Sequence, residues 1–327
     1  MIKKYSLLMA ALALAICITN ADAKTKTTAA KTCDRSCLMT LADTYIAALV
    51  AHDPSKVPLA ANAKTVENVK RIQPGEGLWK TATSGPTGFK IVVPDPYAQQ
   101  VGGMVMMESN GKPVQVGFRL KLENGKIVEA EHMIAEPRGP ALANLQKVRP
   151  AILMDVPYEY RDSRGRLVHI AKSYYDALDN NNGSLAPFAA DCERHENGFR
   201  TAPNGGAVGG GGMPGAPTPP PSLVGMQTCA SQINSGVFQY ITVIGNRRVE
   251  VADEQTGLAL GFSHFHHAFT EHDFKILNNP NRDTVHMDYK PFDLPAMHIY
   301  KIWGGEIHEI EAMGFTAPYN SPSGWEE

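Results

Sequence analysis

The sequence has no excess of charge of one sign and, beyond its first residues, no long apolar run. Its 31 Lys and Arg are balanced by 33 Asp and Glu, which leaves a net charge of −2. This near-neutrality argues against nucleic-acid binding, because a protein that neutralises phosphates needs a basic patch. No later segment reaches the ~18 uninterrupted apolar residues of a membrane-spanning helix, so we expect no membrane span in the mature chain.

What is present is the composition of a globular protein. The chain has 327 residues, of which 43% are hydrophobic, with 29 Gly and 23 Pro. At roughly 100–200 residues per domain, this length favours two domains that each bury a core.

The amino terminus has the pattern of a secretory signal peptide, predicted to span residues 1–23. Two lysines precede an apolar run over residues 7–18, and Ala21-Asp22-Ala23 supplies the small residues of a cleavage site. A lipoprotein signal that ends at Cys17 is an alternative, although bulky Ile16 does not fit the position before a lipidated cysteine. The pattern predicts an exported protein, periplasmic or secreted.

Cysteine is scarce, and its number is even once the signal peptide is removed. The remaining residues are Cys33, Cys37, Cys192 and Cys229. An even number in an exported protein favours disulfides. Of the three pairings that four cysteines allow, we favour Cys33–Cys37 with Cys192–Cys229, since each pair joins sequence neighbours. A zinc site is the alternative, but neither a C-x-x-C spacing nor an adjacent His pair supports it.

An internal repeat is the strongest signal in the chain. Residues 45–68 and 174–197 align without a gap at an offset of 129, with nine of twenty-four positions identical. In both copies, apolar residues recur at helical spacing from just before the aligned segment into the segment itself. This spacing predicts an amphipathic helix over 38–51 and another over 167–180. A second match joins 121–131 to 301–311, and each of these segments reads as strand, glycine turn and strand.

The remaining pattern predicts mostly strands. They are expected at 89–93, 100–108, 113–123 and 126–134, then at 237–244, 247–253, 258–269, 284–289, 297–303 and 306–315. Helices followed by an antiparallel meander indicate an α+β fold with helices on one face of a sheet. We predict a first domain at 33–136, a linker at 137–160, and a second domain at 161–325 that carries a flexible Gly/Pro-rich loop at 201–222.

This order of elements resembles the nuclear transport factor 2-like superfamily, which includes SnoaL-like cyclases, ketosteroid isomerase and scytalone dehydratase. The matching features are the first helix of each copy, the turns at 58–61 and 187–190, and the closing strand pairs. More narrowly, the segments 191–198, 236–241 and 322–325 resemble exported double-domain proteins of unassigned activity. The resemblance implies two cone-shaped α+β domains, each a curved antiparallel sheet around an apolar pocket, and leaves the chemistry open.

Histidine is concentrated near the carboxyl end, with seven of eleven His between His264 and His308. In a strand, alternation places His264 and His266 on one face and His267 on the other. An imidazole that faces a pocket can move protons near neutral pH. A half-exposed histidine, or one hydrogen-bonded at a strand end, is the alternative.

Four catalytic residues are predicted in the second copy. His267 and Glu196 are acid–base candidates, Tyr240 is a hydrogen-bond donor, and His264 is a secondary proton carrier. Because Glu196 repeats Glu67, a structural role such as bonding backbone amides at a helix start is the alternative. For Tyr240 the alternative is a core tyrosine with a satisfied hydroxyl.

The residues predicted to contact a ligand are Phe262, Arg248, Trp303 and His266. Phe262 and Trp303 would form pocket wall, and Arg248 would hold an anionic group unless it is plain surface charge. A metal ligated by His264 and His266 with His272 or His286 is an alternative. No neighbouring Asp or Glu completes that set, so neither a metal nor a cofactor is predicted.

Two functions follow as hypotheses. The first is a cofactor-independent lyase, isomerase or dehydratase that acts on a small apolar or aromatic molecule in the second domain. The second is a non-catalytic exported protein that binds a ligand or a partner. In both, a small molecule is the expected ligand. The two domains are expected to pack as a dimer fused into one chain, with a homo-oligomer left open.

Overall fold

The computed structural model describes residues 32–202, 228–277 and 283–326. The predicted signal peptide lies outside these residues. So does the predicted loop 201–222, except for its first two residues, which end a strand.

The first half of the molecule, residues 32–135, begins with a helix and continues as strands. Its elements are α1 (Arg35–Val50), a 3₁₀ turn (Pro54–Lys56), β1 (Leu59–Glu67), β2 (Lys70–Ile72), α2 (Leu78–Thr81), β3 (Ala82–Ser84), β4 (Lys90–Asp95), β5 (Gln100–Ser109), β6 (Lys112–Glu123) and β7 (Lys126–Ala135). The predicted strands at 89–93, 100–108, 113–123 and 126–134 are present as β4 to β7, with small shifts of their ends.

Two short helices and a 3₁₀ turn connect the halves. The second half, residues 161–326, then repeats the order of a long helix followed by strands. The elements are α3 (Ala141–Asn144), α4 (Pro150–Leu153), a 3₁₀ turn (Tyr158–Tyr160), α5 (Arg164–Asp179), a 3₁₀ turn (Gly183–Leu185), β8 (Phe188–Glu196), β9 (Phe199–Ala202), α6 (Cys229–Asn234), β10 (Val243–Asp253), β11 (Leu258–His267), β12 (Asp273–Lys275), β13 (Thr284–His286), β14 (Phe292–Trp303), β15 (Glu306–Gly314) and β16 (Ala317–Pro318).

The repeat is visible residue for residue. The helices α1 and α5, the 3₁₀ turns that follow them, and the strands β1 and β8 are each displaced by 129 residues. Both helices begin where a side chain caps the first turn: Asp34 accepts from the amide of Cys37, and Ser163 accepts from that of Arg166. The sequence pattern therefore predicted both helices correctly, within three residues at each start.

Two sheets with matching strand orders carry the halves. The described strands form one seven-stranded sheet in the order β2-β1-β7-β6-β5-β3, with β4 on β5, and another in the order β9-β8-β15-β14-β11-β10, with β16 on β14. Both sheets are largely antiparallel, but β1 pairs with β7 in parallel, and β8 pairs with β15 in parallel. The antiparallel sheets expected from the sequence are therefore confirmed, apart from one parallel strand pair in each half. The segments 58–61 and 187–190, predicted as turns, lead into these parallel strands.

One strand prediction in the second half is wrong. Residues 237–242 are not a strand; they follow the short helix α6 in a series of turns, and β10 begins at Val243. The local composition there favoured a strand, and tertiary packing overrode it. The strand predicted at 284–289 is present over residues 284–286 as β13, which pairs with β12 in a separate two-stranded sheet.

Three apolar cores hold the described residues together as one compact unit. One core lies between α1 and the first sheet, and another between α5 and the second sheet. The third lies between the two sheets and is rich in methionine: Met104, Met106, Met133, Met297 and Met313.

The halves contact each other reciprocally. Arg35 at the start of α1 pairs with Asp253 at the end of β10 at 2.8 Å, and Arg164 at the start of α5 pairs with Asp95 at the end of β4 at 2.7 Å. Arg164 takes the place of Arg35 in the second half. Asp253 takes the place of Asp95, because each of these two aspartates pairs with the first residue of the strand that follows it. Such i-to-j and j-to-i contacts are those of an isologous dimer, here within one chain.

Both predicted disulfides are present. Cys33 is bonded to Cys37 beside the start of α1, and Cys192 on β8 is bonded to Cys229 on α6. These bonds are compatible with export to an oxidising compartment. Across the described ranges, no helix is long and apolar enough to cross a membrane.

Candidate active site

Strand β11 divides the predicted site residues between two faces of the second sheet. Alternation places Phe262, His264 and His266 on the face toward the first half, where Phe262 joins the core between the sheets. His267 lies on the opposite face with Phe265, toward the core that α5 covers. We call this second face the inner face.

His267 belongs to an aromatic stack, formed with Tyr240, Phe269 and Phe292. Its ring lies 4.4 Å from that of Phe292 and 5.5 Å from that of Tyr240, nearly parallel to both. His267 is 2% exposed, and burial lowers the pKa of its imidazole to about 4. Burial and the nearby Glu196 carboxylate raise the pKa of the Tyr240 phenol above its usual 10. Among the described residues, Nδ1 of His267 has no hydrogen-bond partner.

Glu196 is tied to a tyrosine of α5 through a buried arginine. Arg194 donates from Nε to the hydroxyl of Tyr174 at 2.8 Å and from Nη2 to Glu196 at 2.6 Å. Its Nη1 donates to Thr201 at 2.7 Å, so the whole guanidinium is bonded. We call Tyr174, Arg194 and Glu196 the arginine bridge. The Glu196 carboxylate is thus held in an ion pair with Arg194, and after burial its charge is the next cause that raises the pKa of the Tyr240 phenol.

The first half joins the corresponding residues with a histidine. The hydroxyl of Tyr45 lies 2.8 Å from His132 Nε2, and His132 Nδ1 lies 3.2 Å from Glu67 Oε2. Glu67 also accepts a hydrogen bond from the amide of Leu78, the first residue of α2. The alternative of a glutamate that bonds backbone amides at a helix start therefore holds for Glu67.

The two bridges use the same end residues and different middle ones. Tyr45 and Glu67 are 129 residues before Tyr174 and Glu196, whereas His132 comes from β7 and Arg194 from β8. Neither bridge was predicted from the sequence. A tyrosine and a glutamate stand at the same two positions of both copies, and this match was the signal that could have revealed the bridges.

A second polar group on the inner face was also missed. It consists of Tyr175 on α5, Ser263 on β11, and His298 and Tyr300 on β14, and we call it the inner hydroxyl cluster. The hydroxyl of Tyr175 lies 3.4 Å from His298 Nδ1. Burial raises the pKa of the Tyr175 phenol to about 12, and hydrogen bonds with the hydroxyls of Tyr300 and Ser263 oppose this rise. The register of β11 on β14 and the packing of α5 on the sheet bring these residues together.

The face toward the first half ties the sheets together. Arg248 is bound to Glu131 of the first half through two hydrogen bonds of 2.6 and 3.0 Å, and its guanidinium lies 4.8 Å over the ring of Phe262. The guanidinium also lies 5.8 Å from the ring of Trp325, which comes from the 322–325 segment. The predicted anion-binding and pocket-wall roles of Arg248 and Phe262 stay predictions, and in this structure both residues contact the other half.

The other predicted residues are dispersed. His266 is hydrogen-bonded to the buried Asp293 at 2.8 Å, and His264 lies 3.1 Å from the amide of Asn246. Trp303 stacks on His308, with ring centroids 3.6 Å apart, at the hairpin between β14 and β15. The structure thus groups His267, Tyr240 and Glu196 on the inner side and separates them from His264, His266 and Trp303.

Neither a metal set nor a described cleft coincides with these groups. In residues 32–202, 228–277 and 283–326, no three His, Cys, Asp or Glu are arranged to hold a metal ion. One cleft of about 520 Å³ lies along α1 beside residues 85–88. Another of about 290 Å³ lies between the halves beside Phe315. Neither is lined by the aromatic stack or the inner hydroxyl cluster.

Comparison with known proteins gives a family without an activity. No curated protein matches the chain. A solved structure described as a "putative ketosteroid isomerase from Kribbella flavida" is 14% identical over 37% of this chain and 90% of that one, with a TM-score of 0.24, and we draw nothing from a likeness at this level. Residues 31–134 and 160–314 match the family described as "Domain of unknown function (DUF8021)". These two segments make up most of the chain, which therefore belongs to this family of unknown function.

Proposed function

We propose that the second half is a cofactor-independent acid–base catalyst, a lyase, isomerase or dehydratase that acts on a small apolar or aromatic molecule. The observation that carries this proposal is the stack of His267 on Tyr240, two groups whose pKa values are shifted in opposite directions. Titratable neighbours with pKa values pushed apart are the arrangement by which one site supplies both an acid and a base.

Both groups have the right protonation state at neutral pH. An imidazole with a pKa of about 4 is neutral at pH 7 and can accept a proton from carbon. A phenol whose pKa is raised stays protonated and can donate a hydrogen bond to an oxygen on which charge develops. The flat rings of Phe269 and Phe292 beside them suit an aromatic substrate.

The arginine bridge has a positioning role in this proposal. Arg194 fixes the Glu196 carboxylate on the inner side of the sheet, and burial together with the negative charge of Glu196 raises the pKa of Tyr240. In this proposal Glu196 acts on the phenol through its charge, and its predicted role as an acid–base residue stays a prediction.

The fold assignment and the exported location belong to the same proposal. We assign both halves, 33–136 and 161–325, to the nuclear transport factor 2-like type. Each half supports this assignment with one long helix packed on the inner face of a sheet and a first strand that joins the last strand. The two disulfides support export.

Deuterium exchange into α-tetralone, a small aromatic ketone, tests the proposal. The full chain should catalyse exchange at the carbon beside the carbonyl, measured by NMR. His267→Gln should lower the rate at least 100-fold, because the base is lost. His286→Gln is the matched control, since His286 is exposed on the small β12–β13 sheet. Equal rates in the protein and in His267→Gln would reject the assignment.

A non-catalytic binding protein is the second candidate, and one observation favours it. Burial, then Arg194, lowers the pKa of His298 to about 3, and burial raises that of Tyr175 to about 12. Neutral groups such as these can hold a neutral ligand by hydrogen bonds without any proton transfer. Saturable binding of α-tetralone without any exchange would select this function over the first.

A further inference from the structure

The two halves differ where one strand starts beside the long helix. Strands β4 and β10 correspond, since each pairs with the strand that follows it and ends at an aspartate bonded to the other half. The pairing of β10 begins at Val243, opposite His266, whereas that of β4 begins only at Lys90, opposite Val105. Residues 85–88, which precede Lys90, belong to no strand. The space beside the helix is therefore bounded by a strand in the second half and by a loop in the first.

In the second half, β10 is bonded directly to the helix α5. The guanidinium of Arg247 donates to Asp176 at 2.7 Å and also to Asp179. These bonds hold the start of the strand against the helix. The residues at the same positions of α1, 129 residues earlier, are Ala47 and Val50, whose side chains have no hydrogen-bond acceptor. The first half therefore cannot close this space in the same way.

The cleft of about 520 Å³ along α1 occupies this position in the first half, and we call it the helix cleft. Its volume lies in the range of small-molecule sites. One wall is a single face of α1, and the other is the loop 85–88 with Lys90. The α1 wall consists of residues one turn apart: Asp43, Ile46, Ala47 and Val50. Seven residues of helix, at a rise of about 1.5 Å each, make this wall roughly 10 Å long.

The loop wall of the helix cleft is supported by packing at both of its glycines. A Cβ at Gly88 would lie 2.4 Å from the carbonyl oxygen of Gln146, so only glycine lets the segment between the halves pack against the loop here. A Cβ at Gly85 would lie 3.9 Å from a methyl group of Val50, so the loop and α1 approach each other at this end. The cleft is therefore narrow and apolar at Val50.

The opposite end of the helix cleft carries one charge of each sign. Asp43 and Lys90 form an ion pair there, with side chains that are 56% and 36% exposed. An ion pair this exposed contributes little to stability, so a ligand can separate its two members at small cost. A ligand with a single charge gives a new partner to only one of them. A ligand with both an ammonium and a carboxylate group gives a partner to each.

We propose that the helix cleft binds a free α-amino acid with a large apolar side chain. The ammonium group of the ligand bonds to Asp43 and its carboxylate bonds to Lys90. Its side chain lies along Ile46 and Ala47 toward the apolar end at Val50, where it is removed from water. The site belongs to the first half, so it does not depend on the catalytic function proposed for the second.

Titration calorimetry of the full chain with L-phenylalanine tests the ligand class. Three related probes each lack one feature: phenylalaninamide lacks the carboxylate, N-acetylphenylalanine lacks the ammonium group, and glycine lacks the apolar side chain. We expect phenylalanine to bind roughly 10-fold or more tightly than each of them, because each loses a charged hydrogen bond or the apolar contact. Equal affinity for phenylalanine and any one of the three would overturn the proposal. So would no binding of phenylalanine up to roughly 10 mM.

Filling the helix cleft tests its location. Ala47→Phe places a ring in the cleft and should abolish binding of phenylalanine. Thr44→Phe is the matched control, because Thr44 is exposed on the same helix but does not line the cleft, and it should leave the affinity unchanged. Ala47 is exposed as well, so both variants should fold, which thermal unfolding checks. Unchanged affinity in Ala47→Phe would reject the site.

The charged end is tested by two further variants. Asp43→Asn and Lys90→Gln should each weaken binding of phenylalanine about 10-fold, the loss of one charged hydrogen bond. Asp43→Asn should not weaken N-acetylphenylalanine, and Lys90→Gln should not weaken phenylalaninamide, because these probes lack the group concerned. Lys172→Gln is the matched control, since Lys172 is exposed on α5 at the position of Asp43, and it should have no effect. Unchanged affinity for phenylalanine in both Asp43→Asn and Lys90→Gln would contradict the proposed recognition of both charges.

Discussion

The first and second halves share a scaffold and differ in what they enclose. Both place a 16-residue helix on the inner face of a sheet and join a tyrosine of that helix to a glutamate on the following strand. In the first half, the sheet positions that correspond to the inner hydroxyl cluster are apolar. In the second half, they carry hydroxyls and imidazoles. The comparison teaches that strand order and register fix the packing, while the side chains on the inner face are free to differ.

The largest expected effect is a pH dependence specific to the second half. The pKa values of His267 and His298 in the folded protein, about 4 and about 3, lie below the 6.5 of an ordinary histidine. As the pH falls below 6.5, the unfolded chain takes up protons that the folded chain does not, so stability is lost on acidification from 6.5 to about 4. Each residue should contribute roughly 3 kcal/mol of destabilisation at pH 4.

Urea unfolding between pH 7 and pH 4 measures this effect. His267→Gln and His298→Phe should each flatten the dependence, and the difference from the natural chain removes the contribution of every other titrating group. Phe118 shows that phenylalanine fits the corresponding place in the first half. Parallel pH curves for the natural chain and both variants would contradict the burial of these imidazoles.

The two bridges should differ in energetic weight. Arg194→Leu leaves Glu196 and Tyr174 without their partner, and we expect it to lower the free energy of unfolding by about 3 kcal/mol, as removal of one partner of a buried ion pair does. His132→Leu removes a histidine hydrogen-bonded at both ring nitrogens, at a cost of about 1–2 kcal/mol. Urea unfolding at pH 7 compares them, and a larger loss in His132→Leu would reverse the ranking.

A smaller effect is expected where the halves meet. Gly117 and Met297 occupy corresponding positions on β6 and β14, and a Cβ at Gly117 would collide with the Met297 sulfur. Gly117→Ala should cost about 1–3 kcal/mol through overpacking. Met297→Ala alone should cost about 2 kcal/mol or more through a cavity. In the double variant the added methyl occupies space that the Met297 side chain has left. The double variant should therefore cost less stability than the sum of the two single variants. Additive thermal unfolding data would show that the two positions do not share this contact.

The sequence predicted the parts of the fold that rest on local pattern. The helices α1 and α5 and the strands β4 to β7 follow from apolar spacing and turn residues that lie within each element. Strands β1 and β8 were missed because their partners, β7 and β15, lie far along the chain, and no local signal indicates a parallel pairing. The false strand at 237–242 has β-forming residues, but α6 and its disulfide fix that segment in turns.

The sequence predicted His267 and Tyr240 as site residues, but it did not predict the inner hydroxyl cluster. Alternation along one strand was enough to place His267 apart from His264 and His266. Tyr240 was selected on a strand that does not exist, yet its ring still contacts His267. The inner hydroxyl cluster combines one helix and two strands. Its recognition needs the register of Ser263 and Tyr300 on neighbouring strands, which the sequence does not carry.

The reciprocal packing of the halves has a consequence for how the molecule can vary. In a dimer of identical subunits, a substitution on the symmetry axis is present in both subunits, so the new residue contacts its own copy. In this single chain a substitution is present in only one half. Gly102 faces Leu260, its own counterpart, and a Cβ at Gly102 would lie 2.7 Å from that leucine. A small residue can therefore oppose a large one along the axis, and each half is matched to the other rather than to itself.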